Sequence, residues 1–428
     1  MLIRIAMRVV ALGAKFALTI AIARMLGFAA IADYGLAIAI SVIASKVLGL
    51  GFSAELNRRL ALPAPRQAIR DARTIAIVYV LAYLVLGSVV LLVRFKGGLA
   101  ASHVSASTPW LTIVAVAIAE HYAFECNTYV FSLHHTRTAS LMLFVRSGVW
   151  PALAMAGLGS GVIVRLDTVL LLWISINSVV IIWAWQTLIA VATASEPAPR
   201  RVDGHRDTLR LWRDGLSFYV GAALLASLQY AERLIAAPLL SDDALGRYVF
   251  AWSIANAIQT IAFAAIVSTA GPALAKAASV ESRTFAPTLR RALYVSLRLT
   301  LLLSGGILLV REPLFRLAHE PLDSNGTTLL TILLLSFVLR GTIDLLWAAA
   351  IALRVGRTFA LATALLGAGS LPITWYAIRA HSALGAACGH LLTSALLATG
   401  FGWLLIRVGA NGRIACVPLR SEAKHDAL

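Results

Sequence analysis

The sequence predicts an all-α, polytopic membrane protein of about twelve transmembrane helices, and three observations carry that expectation. Apolar residues make up 60% of the 428 positions and charged residues only 13%, where a soluble domain carries about 25% charged residues. The mean hydropathy is +0.84. Apolar runs recur along the whole chain, each near the ~20 residues that cross the ~30 Å hydrocarbon layer as a helix. The runs are continuous and rich in Leu, Ala and Val, not alternating at period two, which excludes a transmembrane barrel. Lipid offers no hydrogen bonds, so the helix remains.

The first span is placed at 6–26. Its start mimics a secretion signal, with Arg4 and Arg8 before an apolar stretch and Ala21-Ile22-Ala23. Lys15 interrupts that stretch, so an uncleaved helix is expected. The second span follows at 35–52, after a short turn. The third and fourth, 75–93 and 110–133, flank the connection Arg94–Pro109. The fifth, 140–160, begins after the turn holding His134 and His135. The sixth is 168–193. Then come 215–238, 246–273, 292–310, 327–352, 359–378 and 384–407. Pro151, Pro238, Pro272 and Pro372 lie in or at the ends of spans, where they kink helices.

The formal net charge is +17. In a soluble protein such a balance points to nucleic acid, but here topology explains it. With the N-terminus cytoplasmic, the connections on that side hold 23 Lys and Arg and those on the other side 6. The positive-inside rule then supports both termini in the cytoplasm. A missed span would scramble this asymmetry, so it also tests the span count.

The central connection, Ala194–Gly215, carries two prolines and five arginines. It divides the chain into an N-terminal six-helix lobe (1–193), a cytoplasmic linker (194–214), a C-terminal six-helix lobe (215–408) and a cytoplasmic tail (409–428). Six is even, so both blocks enter from the same side, which predicts parallel repeats. A weak echo agrees. "ARMLGFAAIADYGLAIAIS" from Ala23 and "ERLIAAPLLSDDALGRYVFAWS" from Glu232 share a basic residue at a helix end, a short acidic turn and a glycine-tyrosine pair. Tyr34 and Tyr248 are 214 residues apart, half the chain.

Eight basic residues fall within spans: Lys15, Arg24, Lys46, Arg146, Arg233, Arg247, Arg298 and Arg340. Four acids do: Glu120, Glu125, Glu232 and Asp344. A charge at the bilayer centre costs roughly 2.5–3.5 kcal/mol on insertion scales, so such residues face a partner or a wet cavity. Four acids cannot neutralise eight bases, and the surplus points to a cationic interior. Guanidinium forks suit the oxygens of phosphate. Plainer readings stand beside this one. Arg24, Arg247, Arg146 and Arg298 are near enough to an interface to snorkel, and Arg340 and Asp344, four apart, can pair on one helix. Lys15 and Lys46 lie near mid-span with no acid nearby in sequence. Arg233 follows Glu232, but adjacent helical residues point about 100° apart and need not satisfy each other.

Enzyme signals are missing from the sequence. The longest external connections have about 16 residues each, too few for the extramembrane platform of a membrane transferase or polymerase. No HExxH-type or Walker pattern is present, and neither cofactor nor metal is expected. "GLGSG", Gly157–Gly161, ends a membrane helix and follows no strand, so it is no nucleotide loop. Cys126, Cys388 and Cys416 have no metal or redox spacing and read as packing residues.

"FALTIAIARMLGFAAIADYGLAIAIS" resembles the opening of the bacterial Wzx-type polysaccharide and O-antigen unit flippases. There an arginine-leucine-glycine helix end precedes a short turn and an aromatic-glycine start. "LSFYVGAALLASLQYAERLIAAPLLSDDALGRYVFAWSIAN" is similar to the start of their second half. These belong to the multidrug/oligosaccharidyl-lipid/polysaccharide exporters. The motifs cover roughly 80 residues, and the span count, split and orientation extend the likeness along the chain. The resemblance implies two six-helix lobes around a central cationic cleft bordered by helices 1, 2, 7 and 8. It implies a polyprenyl diphosphate-linked oligosaccharide carried across the inner membrane by alternating access. Polysaccharide polymerase and glycosyltransferases would be neighbours in the pathway, with membrane lipid and no nucleic acid as further partners. The substrate-binding residues expected are Lys15, Arg24, Lys46, Glu232, Arg233, Arg247 and Arg340, and Glu120 and Glu125 are the candidates for ion coupling. The peptidoglycan-precursor branch commonly has fourteen spans, which argues against lipid II. The alternatives are a drug/cation antiporter of the same superfamily, which would want an acidic cavity, and a non-transporting scaffold for glycan-synthesis enzymes.

Overall fold

The computed structural model describes residues 2–62, 65–95, 110–194, 204–280, 282–320 and 323–410. Residues 195–203 of the expected linker and 411–428 of the expected tail therefore lie outside the described residues, as does Cys416; from residue 204 the expected linker is the start of a helix. Among those described, no strand occurs. The elements in order are α1 (Leu2–Leu26), α2 (Phe28–Val47), α3 (Phe52–Leu60), α4 (Arg66–Phe95), α5 (Trp110–Ser132), α6 (Thr136–Phe144), α7 (Trp150–Gly159), α8 (Leu166–Ala194) and α9 (Gly204–Ala236). Then follow α10 (Asp242–Ala262), α11 (Ser268–Val280), α12 (Ser282–Leu309), α13 (Arg311–Leu317), α14 (Ser324–Ala352) and α15 (Gly356–Ala410).

A helix, or a helix pair joined by a π turn, stands at each expected span. The π turns are Val145–Val149, between α6 and α7, and Phe263–Val267, between α10 and α11. Pro151 follows the first by two residues and Pro272 the second by five, and the missing N–H of each disturbs the hydrogen-bond ladder. Among the described residues, eight helical segments are apolar and long enough to cross a membrane by length and composition. Among the described residues, α5 and α9, which fall short, carry Glu120 with Glu125 and Glu232 with Arg233. The eleventh and twelfth spans form one continuous α15, broken at Ser382 with φ 53° and ψ −130°. Ala377 and Gly385 meet across that turn.

The second span ends earlier than the hydropathy indicates. α2 stops at Val47 because Leu50 (φ 48°) and Gly51 (φ 78°) take the left-handed conformation, which halts a right-handed helix. The amphipathic α3 then lays Leu56 and Leu60 against Ile69, Ala72 and Leu188. Lys46 consequently sits in the last turn of α2, not at mid-span. There the partial negative charge of the helix C-terminus favours a cation.

The contacts divide the described chain into two compact units. The first comprises Met1–Phe250 with Leu317–Glu320, and the second Ala251–Arg316 with Pro321–Leu428. The first unit runs beyond the sequence midpoint because α9 packs on α2. Its core holds Ala123, Cys126, Met142, Val180 and Ala184. The second unit is built on α14, packed against α15, α12 and α11, with Ile266, Ala292, Leu345, Leu274, Phe285 and Ala349 at its heart.

Candidate functional site

The first unit gathers most of the intramembrane charge around α5. Glu120 is the hub. One oxygen pairs with Arg146 Nη1. The other accepts from Trp173 Nε1 at 2.9 Å and from Asn177 Nδ2 at 2.9 Å. Arg146 is buried and lies within the first π turn, and the widened backbone there packs Gly148 against Ala11 of α1. Trp150 stacks on Trp173 at 4.6 Å between centroids. Lys15 lies within electrostatic reach of both Glu120 and Arg146.

One turn further along α5, Phe124 carries two cations near its ring. Lys46 Nζ is 5.3 Å from the centroid and Arg146 Cζ 5.5 Å, both within cation–π range. Glu125 is buried beside it. It accepts from Ser53 Oγ at 2.7 Å and lies 4.0 Å from His121 Nε2. His121 is itself buried and shares a 2.5 Å hydrogen bond with Tyr83 Oη. The two acids that were grouped from sequence thus have different surroundings. Glu120 is held by a guanidinium and two neutral donors, Glu125 by a hydroxyl, with an imidazole nitrogen 4.0 Å away.

Arg233 and Glu232 are both buried, with relative exposures of 1% and 2%. Arg233 Nη1 donates to the carbonyl of Gly35 at 3.1 Å, and its guanidinium lies 5.2 Å from the Tyr230 ring centroid. Glu232 accepts from Tyr248 Oη at 3.2 Å. The echoed glycines explain why these helices approach so closely. A Cβ on Gly35 would meet Val249 Cγ1 at 2.3 Å, and a Cβ on Gly246 would meet the Phe28 carbonyl oxygen at 1.9 Å. The opening turns of α2 and α10 therefore cross through their glycines, with Phe28 edge-on to Phe250 at 5.8 Å and both Tyr34 and Tyr248 buried.

Arg247 is 60% exposed and pairs through Nε with Glu320 at 2.9 Å. Arg24 and Lys46 are exposed and Lys15 is half-buried. Among the described residues, neither Lys15 nor Lys46 forms an ion pair. Arg340 belongs to the second unit and is buried; its Nε donates to Ser394 Oγ at 3.0 Å. Ser336 joins the same network through His390 Nδ1 at 2.6 Å and Ser394 at 2.9 Å. Asp344 accepts from Gln259 Nε2 at 2.8 Å.

The structure thus brings Lys15, Lys46, Glu120 and Glu125 to one neighbourhood, places Glu232 and Arg233 at the α2–α10 crossing, and puts Arg340 in a separate polar core. Sequence reading missed Arg146's partner, His121, Ser53, Asn177 and Glu320. His121 was within reach, since it stands four residues before Glu125 on one helix face. The others are joined by folding alone. Among the described residues, no group of acids, histidines and cysteines could hold a metal ion.

The class these observations define is a polytopic α-helical membrane protein, and its fold is that of known transporters. No family model matches the sequence, and no curated protein does. Among solved structures, the lipid II flippase MurJ in an inward closed conformation aligns over 95% of this chain and 88% of its own, with a TM-score of 0.69 at 10% identity. An inward-facing multidrug resistance MATE family transporter of the MOP superfamily aligns over 94% and 96%, with a TM-score of 0.63 at 16% identity. A MOP superfamily transporter from Pyrococcus furiosus, reported with a binding pocket of reverse polarity, aligns over 95% and 94%, with a TM-score of 0.51 at 14% identity.

Proposed function

We propose that this protein is a flippase for polyprenyl diphosphate-linked oligosaccharide units in the bacterial inner membrane, serving surface polysaccharide synthesis. The observation that carries the reading is the pair of lysines, Lys15 and Lys46, on the α5 cluster. They lie in membrane-spanning helices without a dedicated carboxylate, and the nearest acids already have other partners. A dianionic headgroup supplies the missing countercharge. Lys15, Lys46, Arg24 and Arg247 are the direct anion contacts, because their side chains are not closed off by packing. Glu232 and Arg233 are buried and hold the α2–α10 crossing, while Arg340 stays in the separate polar core of the second unit. Arg247 must leave Glu320 to reach an anion. Both termini lie in the cytoplasm, and the substrate moves outward between two six-helix lobes by alternating access. The fold shared with a lipid flippase supports a lipid-linked cargo.

The antiporter reading has the shared fold of multidrug transporters behind it, but a cationic drug would need an accessible acid. Glu120 and Glu125 are committed to Arg146 and Ser53.

The test is mass spectrometry of lipid extracts from the native host with and without the gene. Flipping predicts that a polyprenyl diphosphate-linked oligosaccharide accumulates in the deletion and that surface polysaccharide falls. Unchanged lipids with unchanged surface polysaccharide would reject it, and a new drug sensitivity would favour the antiporter.

A further inference from the structure

We infer that the basic end of α12 carries a binding site for an anionic phospholipid headgroup. A concavity of about 450 Å³ lies along one face of this helix, lined by Ala286, Pro287, Arg290, Arg291 and Tyr294. The lining positions recur at three- and four-residue intervals with two adjacent pairs, so they form one stripe two side chains wide. That wall is apolar, a surface suited to an acyl chain, and the long stems of Arg290 and Arg291 can carry their guanidinium groups to a phosphate above it. Pro287 contributes a ring and no N–H, which leaves the groove without one helical hydrogen bond.

A third arginine joins from deeper in the helix. Arg298 is exposed two turns beyond Arg291, a rise of roughly 10 Å into the membrane. Its guanidinium lies 4.1 Å from the centroid of the Tyr294 ring, one turn nearer the basic end. The side chain therefore snorkels back along the helix, the direction in which helical Cα–Cβ bonds already lean. Tyr294 is 53% exposed, and aromatic rings are enriched at the membrane–water interface. Arg283 adds a further exposed cation at the same end. Among the described residues, Arg290, Arg291 and Arg298 form no ion pair with a carboxylate.

Exposed guanidinium groups on one stretch of helix favour an anion beside them, and each basic group near an anionic surface strengthens lipid binding. The partner chemistry is a phosphodiester on a two-chain lipid. The inference needs only the membrane-spanning fold. It is independent of the proposed transport, so its failure would leave that reading untouched.

The experiment is native mass spectrometry of the full-length protein titrated with phosphatidylglycerol and, separately, with phosphatidylcholine. It compares wild type with R290Q/R291Q/R298Q and with R66Q/R70Q/R73Q, which removes as many charges elsewhere. The expected result is preferential binding of phosphatidylglycerol by wild type, weakened about tenfold in the α12 variant and by less than about twofold in the control. A photo-crosslinkable phosphatidylglycerol should label residues 286–298. Equal loss in both variants, equal binding of the two lipids, or labelling confined to other helices would overturn the proposal. If the triple variant aggregates, R290Q/R291Q carries the same comparison.

Discussion

Arg233 Nη1 donates to the carbonyl oxygen of Gly35 at 3.1 Å, tying residues 198 positions apart in the sequence. A guanidinium with 1% exposure that holds the backbone of another helix is a structural brace. Its charge still enters the field of the cluster around Glu232. Arg233→Ala should destabilise the protein by about 2–4 kcal/mol, since it removes a charged donor and leaves buried acceptors behind. Thermal unfolding in detergent would read this as a lowered Tm. An unchanged Tm with lost transport would return Arg233 to the direct contacts.

The α2–α10 crossing tolerates no added volume at its backbone contact. Gly246→Ala places a methyl group 1.9 Å from the Phe28 carbonyl oxygen, and backbone cannot yield as a side chain can. The expected cost is about 1–3 kcal/mol, the usual range for overpacking. Gly35→Ala meets a side chain, Val249, so G35A/V249A should recover stability relative to G35A alone. Melting curves of the three variants test this.

Lys15→Ala and Lys46→Ala should behave in the opposite way. Neither lysine forms an ion pair among the described residues, and Lys46 is exposed, so stability should change by less than about 1 kcal/mol. Transport should fall at least about tenfold, the effect of one lost charge contact of about 1.4 kcal/mol. Arginine at either position should retain part of it. Export measured at matched protein abundance separates the two effects.

The two acids of α5 should diverge. Glu120→Gln breaks the pair with Arg146 and should cost about 3–5 kcal/mol, as breaking a buried pair does. Glu125→Gln keeps an acceptor for Ser53 Oγ and should leave the fold near wild type. If protons are coupled to transport, the response to a pH gradient should vanish in Glu125→Gln. A response unchanged there would exclude Glu125 from coupling.

The helices were legible in the sequence because bilayer thickness dictates their length. Even the break within α15 fell between the two expected spans. The depth of Lys46 was not, because hydropathy runs smoothly through Leu48–Phe52 while the backbone turns at Leu50 and Gly51. The glycine pair at 49 and 51 was the available signal. Lys15 and Lys46 stood out as charges without a nearby acid. The partners of Glu120 and Arg233 did not, since Arg146, Asn177 and Gly35 reach them only through helix packing. The echo at Tyr34 and Tyr248 was visible as a repeat, but its physical meaning, two glycines letting helices cross, lies in the contact and not in either segment.

The most direct test of the central claim is translocation in reconstituted proteoliposomes. The cargo is the polyprenyl diphosphate-linked oligosaccharide recovered from the deletion strain, and the comparison is wild type against K15A/K46A. The account predicts that wild type exposes the glycan to an enzyme added on the opposite face and that the double variant, folded to the same Tm, does not. Equal translocation by both would contradict the assignment of the lysines to the headgroup. No translocation by wild type above protein-free vesicles would contradict the flippase itself.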